Sequence, residues 1–166
     1  MLNAKSDRGF TLIELIIVLI IIGVAAAIAT PNFFALLSRF HVNSSLERLL
    51  GGIREAQQQA MRQKKLCRIN INTNTNTLTG NPNNCLLNNR ELEDNINIRT
   101  NLSGAIPNIS FSSKGTTTKM GTIVLSTEGT ALQRCFVISL GLGIMRTGKY
   151  TGSKTGSVSA SKCQKM

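Results

Sequence analysis

The chain has no tryptophan, one tyrosine and a single histidine, His41, among its 166 residues. Six phenylalanines are the only other aromatics, so any core must be built mainly from Ile, Val and Leu. Acids are scarce too: 8 Asp and Glu stand against 19 Lys and Arg, a formal net charge of +11. With one histidine and few carboxylates an acid–base constellation is hard to assemble, and no motif activates any of the many Ser and Thr hydroxyls. Nothing here reads as an enzyme. The four cysteines, Cys67, Cys85, Cys135 and Cys163, contain no closely spaced pair. With a lone histidine, that argues against a zinc site of the usual Cys/His spacing, and no metal or cofactor is expected. The "GLG" at 141–143 is no phosphate-binding loop, because it lacks the GxGxxG spacing and no helix start follows it.

What is present is unevenly placed. After Ser110 come Lys114, Lys119, Arg134, Arg146, Lys149, Lys154, Lys162 and Lys165 against one acid, Glu128. A basic half of this kind can attract nucleic acid, anionic lipid or an acidic partner, or serve only as a solvated surface. The even cysteine count points to disulfides in an exported domain, with three connectivities open. Cys67–Cys85 and Cys135–Cys163 are favoured, since each pair flanks a polar, turn-rich stretch; free buried thiols are the alternative.

The N-terminus is short, polar and basic, "MLNAKSDRG", with Lys5 and Arg8. From Phe10 to Ala29 the chain is almost wholly apolar, about the ~20 residues that cross a bilayer. Lys5 and Arg8 would hold the leader on the cytoplasmic side. "AAAIATPNFF" imitates a signal-peptide cleavage site near Ala27 to Ala29, but the helical pattern does not stop there. Past Pro31, the residues Phe33, Phe34, Leu36, Leu37, Phe40, Val42, Leu46, Leu49, Leu50 and Ile53 recur at spacings of three and four, with charges on other faces. The expectation is one long helix from about Phe10 to Lys65, apolar all round and then amphipathic, bent near Gly23 or Pro31. Glu14 stands alone inside the apolar run. A lone carboxylate in an apolar medium costs several kcal/mol, so something must meet it.

From Leu66 the pattern changes to short alternating strands with Asn, Thr and Gly turns: a hairpin through "TNTNTN", a strand around Ile96 to Leu102, then "NISF", "GTIVLST" and "RCFVISL" leading into "GLGIMRTGKY". The fold class is α+β, a long helix packed on a small antiparallel sheet domain.

"RGFTLIEL" closely resembles the processing site of type IV pilins and type II secretion pseudopilins. The resemblance implies that a prepilin peptidase cuts after Gly9 and methylates Phe10, that Glu14 is the family's assembly carboxylate, and that the helix bends at Pro31. Cleavage frees an α-ammonium at Phe10, which in a filament could pair with Glu14 of a neighbouring subunit. It further implies a leader at 1–9, a membrane and filament-core helix at 10–30, an amphipathic continuation at 31–65 and an exported domain at 66–166. "ISFSSKGTT", "GTIVL" and "RCFVIS.G.G..RTGK" resemble the GspH/FimT group of that superfamily. Some members of this group bind DNA through a basic C-terminal motif containing Gly-Arg-x-Arg. Here the place reads Gly143, Ile144, Met145, Arg146, so Ile144 replaces the first arginine. Arg146, Lys149, Lys154, Lys162 and Lys165 would form a flexible basic tail able to touch phosphates, with Tyr150 alone available to stack on a base.

The function implied is that of a non-catalytic minor pilin or pseudopilin, a single-pass protein of the inner membrane with its C-terminal domain in the periplasm or outside. After assembly it would stand in an extracellular pilus or a periplasmic pseudopilus. Its partners would be the prepilin peptidase, other pilin subunits, the inner-membrane assembly platform and membrane lipid. The alternative is a DNA-binding pilus receptor for natural transformation.

Overall fold

The computed structural model describes residues 9–165. Helix α1 runs 52 residues, Leu12–Gln63. Thr11 caps its start, its Oγ1 accepting the Glu14 backbone N–H at 3.3 Å. The end is a left-handed turn at Lys64 (φ 52°), after which the Lys65 N–H reaches back to the Ala60 carbonyl at 3.2 Å. Both ends fall within two residues of the periodicity's expectation, and the backbone is helical through Gly23 and Pro31.

The contacts divide the chain into two units, one up to Leu36 and one from Leu37 onward. In the first, Leu15, Ile17, Leu19 and Ile21 are each more than half exposed. This helix is long and apolar enough to cross a membrane. The second unit joins the rest of α1 to nine strands: β1 Cys67–Asn72, β2 Thr77–Asn81, β3 Arg90–Glu91, β4 Asn97–Thr100, β5 Asn108–Phe111, β6 Gly121–Ser126, β7 Gln133–Ile138, β8 Met145–Tyr150 and β9 Cys163–Lys165. They form two antiparallel sheets, β3-β2-β1-β5 and β4-β6-β7-β8-β9.

The amphipathic half of α1 therefore packs with the strands, so this unit starts well before residue 66. Val42, Leu46, Leu49, Ile53, Ala56 and Ala60 are buried at helical spacing. They share one core with Ile69, Ile71, Ile109 and Phe111 of the first sheet and Ile123, Leu125, Phe136 and Ile138 of the second. Side chains alternate across a strand, so the other face of the second sheet carries a smaller cluster, Val124, Cys135, Val137, Tyr150, Val158 and Cys163. β6 serves both clusters, which is why five of its six residues are buried.

Two disulfides join Cys67 to Cys85 and Cys135 to Cys163, with Cα atoms 5.4 and 5.8 Å apart. The second changes the picture of the C-terminus. Where the sequence suggests a flexible basic tail, the chain is folded: β8 pairs with β7, β9 pairs with β8, and the disulfide spans the ladder. Gly148 permits the closest approach, since a Cβ there would run into the Gln164 carbonyl.

Candidate assembly segment and basic surfaces

Gly9 and Phe10 precede the first helical turn. Phe10 is 84% exposed, and among the described residues nothing lies within 4 Å of where a Cβ on Gly9 would sit. A peptide bond placed so openly outside a helix is one a protease can reach. Glu14 follows Phe10 by about one helical turn. Its carboxylate is exposed and, among the described residues, forms no ion pair. It sits at the N-terminal end of α1, where the helix dipole favours negative charge. The short chain segment alone brings Gly9, Phe10 and Glu14 together, so the arrangement can receive a cation from another molecule.

The basic residues of the C-terminal part are not gathered into one patch. On β8, Arg146 lies opposite Val137 and Lys149 opposite Arg134, so the two point to opposite faces of the sheet. Arg146 Nη2 donates to the Ala160 carbonyl at 3.2 Å. Lys165, opposite Gly148, shares the Arg146 face, and Lys162 lies beside Gly152 and Tyr150. Lys154 is a strap: its Nζ donates to the Thr127 and Thr130 carbonyls at 3.0 and 2.7 Å. Tyr150 is not free to stack on a base. Its ring is buried, its hydroxyl accepts the Ser159 N–H at 3.2 Å, and the Arg99 guanidinium stands 5.9 Å from the ring centre. Ile144, in place of the motif's arginine, is exposed.

Sequence reasoning missed two arrangements built across long separations. His41, which has no acidic neighbour in the sequence, lies with Nδ1 3.5 Å from Glu93, whose other oxygen is 3.4 Å from Arg48. On the helix-facing side of the second sheet, Arg39 and Arg134 share a cleft with Lys149. No sequence motif signals either. Among the described residues, no three His, Cys, Asp or Glu side chains are placed to hold a metal ion.

Residues 4–30 match the prokaryotic N-terminal methylation motif, and residues 45–142 match the type II transport protein GspH family. No curated protein matches the chain. Among solved structures, the type IV minor pilin FimU of Pseudomonas aeruginosa (strain PAO1) is similar with a TM-score of 0.54 and 16% identity, over 67% of this chain and 90% of FimU. The minor pseudopilin EpsH from the type 2 secretion system of Vibrio cholerae gives 0.48 and 17%, over 68% and 96%. At such identity the FimU likeness speaks for the fold, a helix packed on antiparallel sheets. The GspH match covers more than half of the chain, from the buried part of α1 through β7. With the methylation motif ahead of it, this makes the chain a member of the type II transport protein GspH family.

Proposed function

We propose that this protein is a non-catalytic minor subunit of a filament of the type IV class, stored in the inner membrane, cut after Gly9, N-methylated at Phe10 and then assembled. One observation carries the reading: an exposed apolar helix presents a carboxylate, Glu14, that forms no ion pair among the described residues, one turn behind an open Gly-Phe junction. Once cleaved, Phe10 carries an α-ammonium, and N-methylation keeps its charge. In an apolar filament core an unpaired Glu14 would be heavily penalised, so pairing with a neighbour's ammonium fixes the stagger between subunits. The prepilin peptidase, sister subunits, the assembly platform and bilayer lipid are the partners this cycle needs. Deletion in the native host tests the machine. Loss of twitching and DNA uptake with intact secretion assigns the subunit to a pilus. Loss of enzyme secretion alone assigns it to a secretion pseudopilus, and no change in either overturns the assembly role.

A second reading, a DNA receptor for transformation, is favoured by Arg146, Lys162 and Lys165 lying on one side of the second sheet, in the stretch after Ser110, which has a single acid, Glu128. Contacts from such a surface would be to phosphates, strongly salt-dependent and indifferent to sequence. A gel shift of the detergent-solubilised full chain tests it: charge reversal at Arg146 and Lys165 should abolish the shift, and an unchanged shift removes this reading.

A further inference from the structure

The β7–β8 connection, residues 139–144, carries Leu140, Leu142 and Ile144, each 60% exposed or more. Met120, just ahead of β6, is 67% exposed. The four lie together because the backbone is pinned there. Gly121 pairs with Ile138 in the ladder, and Thr117 and Gly141 exchange two backbone hydrogen bonds at 2.8 and 2.9 Å. Leu140 and Leu142 flank that pairing, and the Ser139 N–H closes the loop onto the Ile144 carbonyl at 3.0 Å. Gly141 and Gly143 take the left-handed conformations this turn requires, with φ of 83° and 65°. A Cβ on Gly143 would come within 3.3 Å of Gln57 and Phe111, so the loop rests on the fold through a glycine. Its apolar side chains are left outside. Single exposed leucines are ordinary, but a pinned cluster of four marks a surface that another molecule covers.

The charges around the cluster indicate its partner. Lys119 lies between Thr117 and Met120, Lys114 is exposed in the adjoining 112–116 turn, and Arg146 follows Ile144 by two residues. Glu128 is the only acid between residues 111 and 150, and it sits in the β6–β7 turn. That turn closes the far end of a ladder running from Gly121–Ile138 to Ser126–Gln133, roughly 17 Å from the cluster. The α1 residues beneath these loops, Gln57 and Met61, are uncharged, and Glu55 on the same helix is taken up by Arg90 at 2.6 Å. A second copy presenting the same cluster would set cation against cation. An apolar face rimmed by carboxylates meets both parts of the surface, the aliphatic cluster at a dry centre and the cations at a wet rim. We propose that the 139–144 loop with Met120 is the docking surface for a different subunit of the filament, one that presents an apolar patch edged by Asp or Glu. The surface pairs this subunit with an acidic neighbour and disfavours its own kind. The proposal rests on the assembly role proposed above.

The test uses the full chain in its native host, with the photo-crosslinking residue p-benzoylphenylalanine in place of Leu142 and adducts identified by mass spectrometry. Ultraviolet light should join the chain to one other filament subunit, within a peptide that carries Asp or Glu beside apolar residues. Leu87, exposed on the loop after Cys85, serves as the background position. Lys114→Glu with Lys119→Glu should lower the Leu142 adduct about tenfold, the scale expected when like charge replaces complementary charge at a rim. Lys149→Glu with Lys162→Glu changes the net charge equally, away from the cluster, and should leave the yield unchanged. Resistance of the variants to proteinase K checks that they fold. An adduct to a second copy of the chain, or to a peptide without acids, overturns the partner's chemistry. Equal loss in the two double variants, or in neither, overturns the charged rim. Presence of the chain in sheared filaments without a Leu142 adduct above the Leu87 background overturns the surface and leaves the assembly reading intact. Absence of the native chain from filaments overturns the assembly reading, and this proposal with it.

Discussion

Asn76 adopts a left-handed backbone, with φ of 51°, at the end of the β1–β2 turn. Its side-chain amide is turned inward and donates to the Ile96 carbonyl at 2.8 Å and the Glu93 carbonyl at 3.1 Å. One residue thus closes a hairpin and ties it to the loop leading into β4. Asn tolerates the left-handed region better than other non-glycine residues, and its short amide can also satisfy buried carbonyls. Asn76→Ala would strain the backbone and remove the side-chain donor from the Ile96 carbonyl, while the Glu93 carbonyl keeps the Ile96 N–H, at a cost of about 1–3 kcal/mol. Thermal unfolding should show a clearly lower midpoint, with Asn76→Gly falling between, since glycine relieves only the strain; an unchanged midpoint for the alanine variant would refute this role. None of this is legible in "TNTNTN", which reads as an exposed polar loop because its partners come from residues about twenty positions away. Glu14 is the opposite case. Its meaning lies in its immediate neighbours, a glycine, a phenylalanine and an apolar run, so the sequence alone displays it.

At the scale of elements, β6 and β7 were readable because each is an apolar run closed by turn residues. β9 was not. Cys163–Lys165 is three residues with no alternation, and it becomes a strand only because β8 offers an edge and Cys135 offers a sulfur. The same locking turns Arg146 and Lys149 from neighbours in a tail into residues on opposite faces. Replacing Cys135 and Cys163 by serine should cost about 2–4 kcal/mol, the usual range for a bridge closing a loop of this size. The loss should be local first: limited proteolysis should cut beyond Thr151 before it cuts the helix and the first sheet. If the doubly substituted chain resists the protease as well as the native one, the ladder holds β9 without the bridge. Gly148→Ala tests the ladder itself. An added methyl group meets the Gln164 carbonyl, so β9 should separate from β8 with the disulfide intact, and protease sensitivity should rise at the same place.

For the whole molecule, the sequence conveys an apolar helical part and a strand-rich part, with an amphipathic stretch of the same helix between them. Charges begin to interleave at Arg39, and the burial of Val42 to Ala60 against the sheets is a tertiary fact that periodicity suggests without naming its partner. The assembly proposal separates two steps that a single deletion would merge. Gly9→Leu should block cleavage, because a bulky side chain replaces the open glycine at the scissile bond. The chain would then keep its leader and stay in the membrane fraction. Glu14→Ala leaves the cleavage site intact and should yield a processed, methylated chain of normal size that fails to enter filaments. The two variants therefore differ in mass, yet both should be absent from the sheared filament fraction. The reason is shared: the first denies its neighbour an α-ammonium, and the second denies its neighbour a carboxylate. Expressed beside the native subunit, each variant lacks only one half of the pair, so incorporation should fall without vanishing. Immunoblots of membrane and sheared fractions measure this. Full incorporation of Glu14→Ala on its own would show that the carboxylate does not set the stagger between subunits, and that apolar packing of the exposed helix suffices.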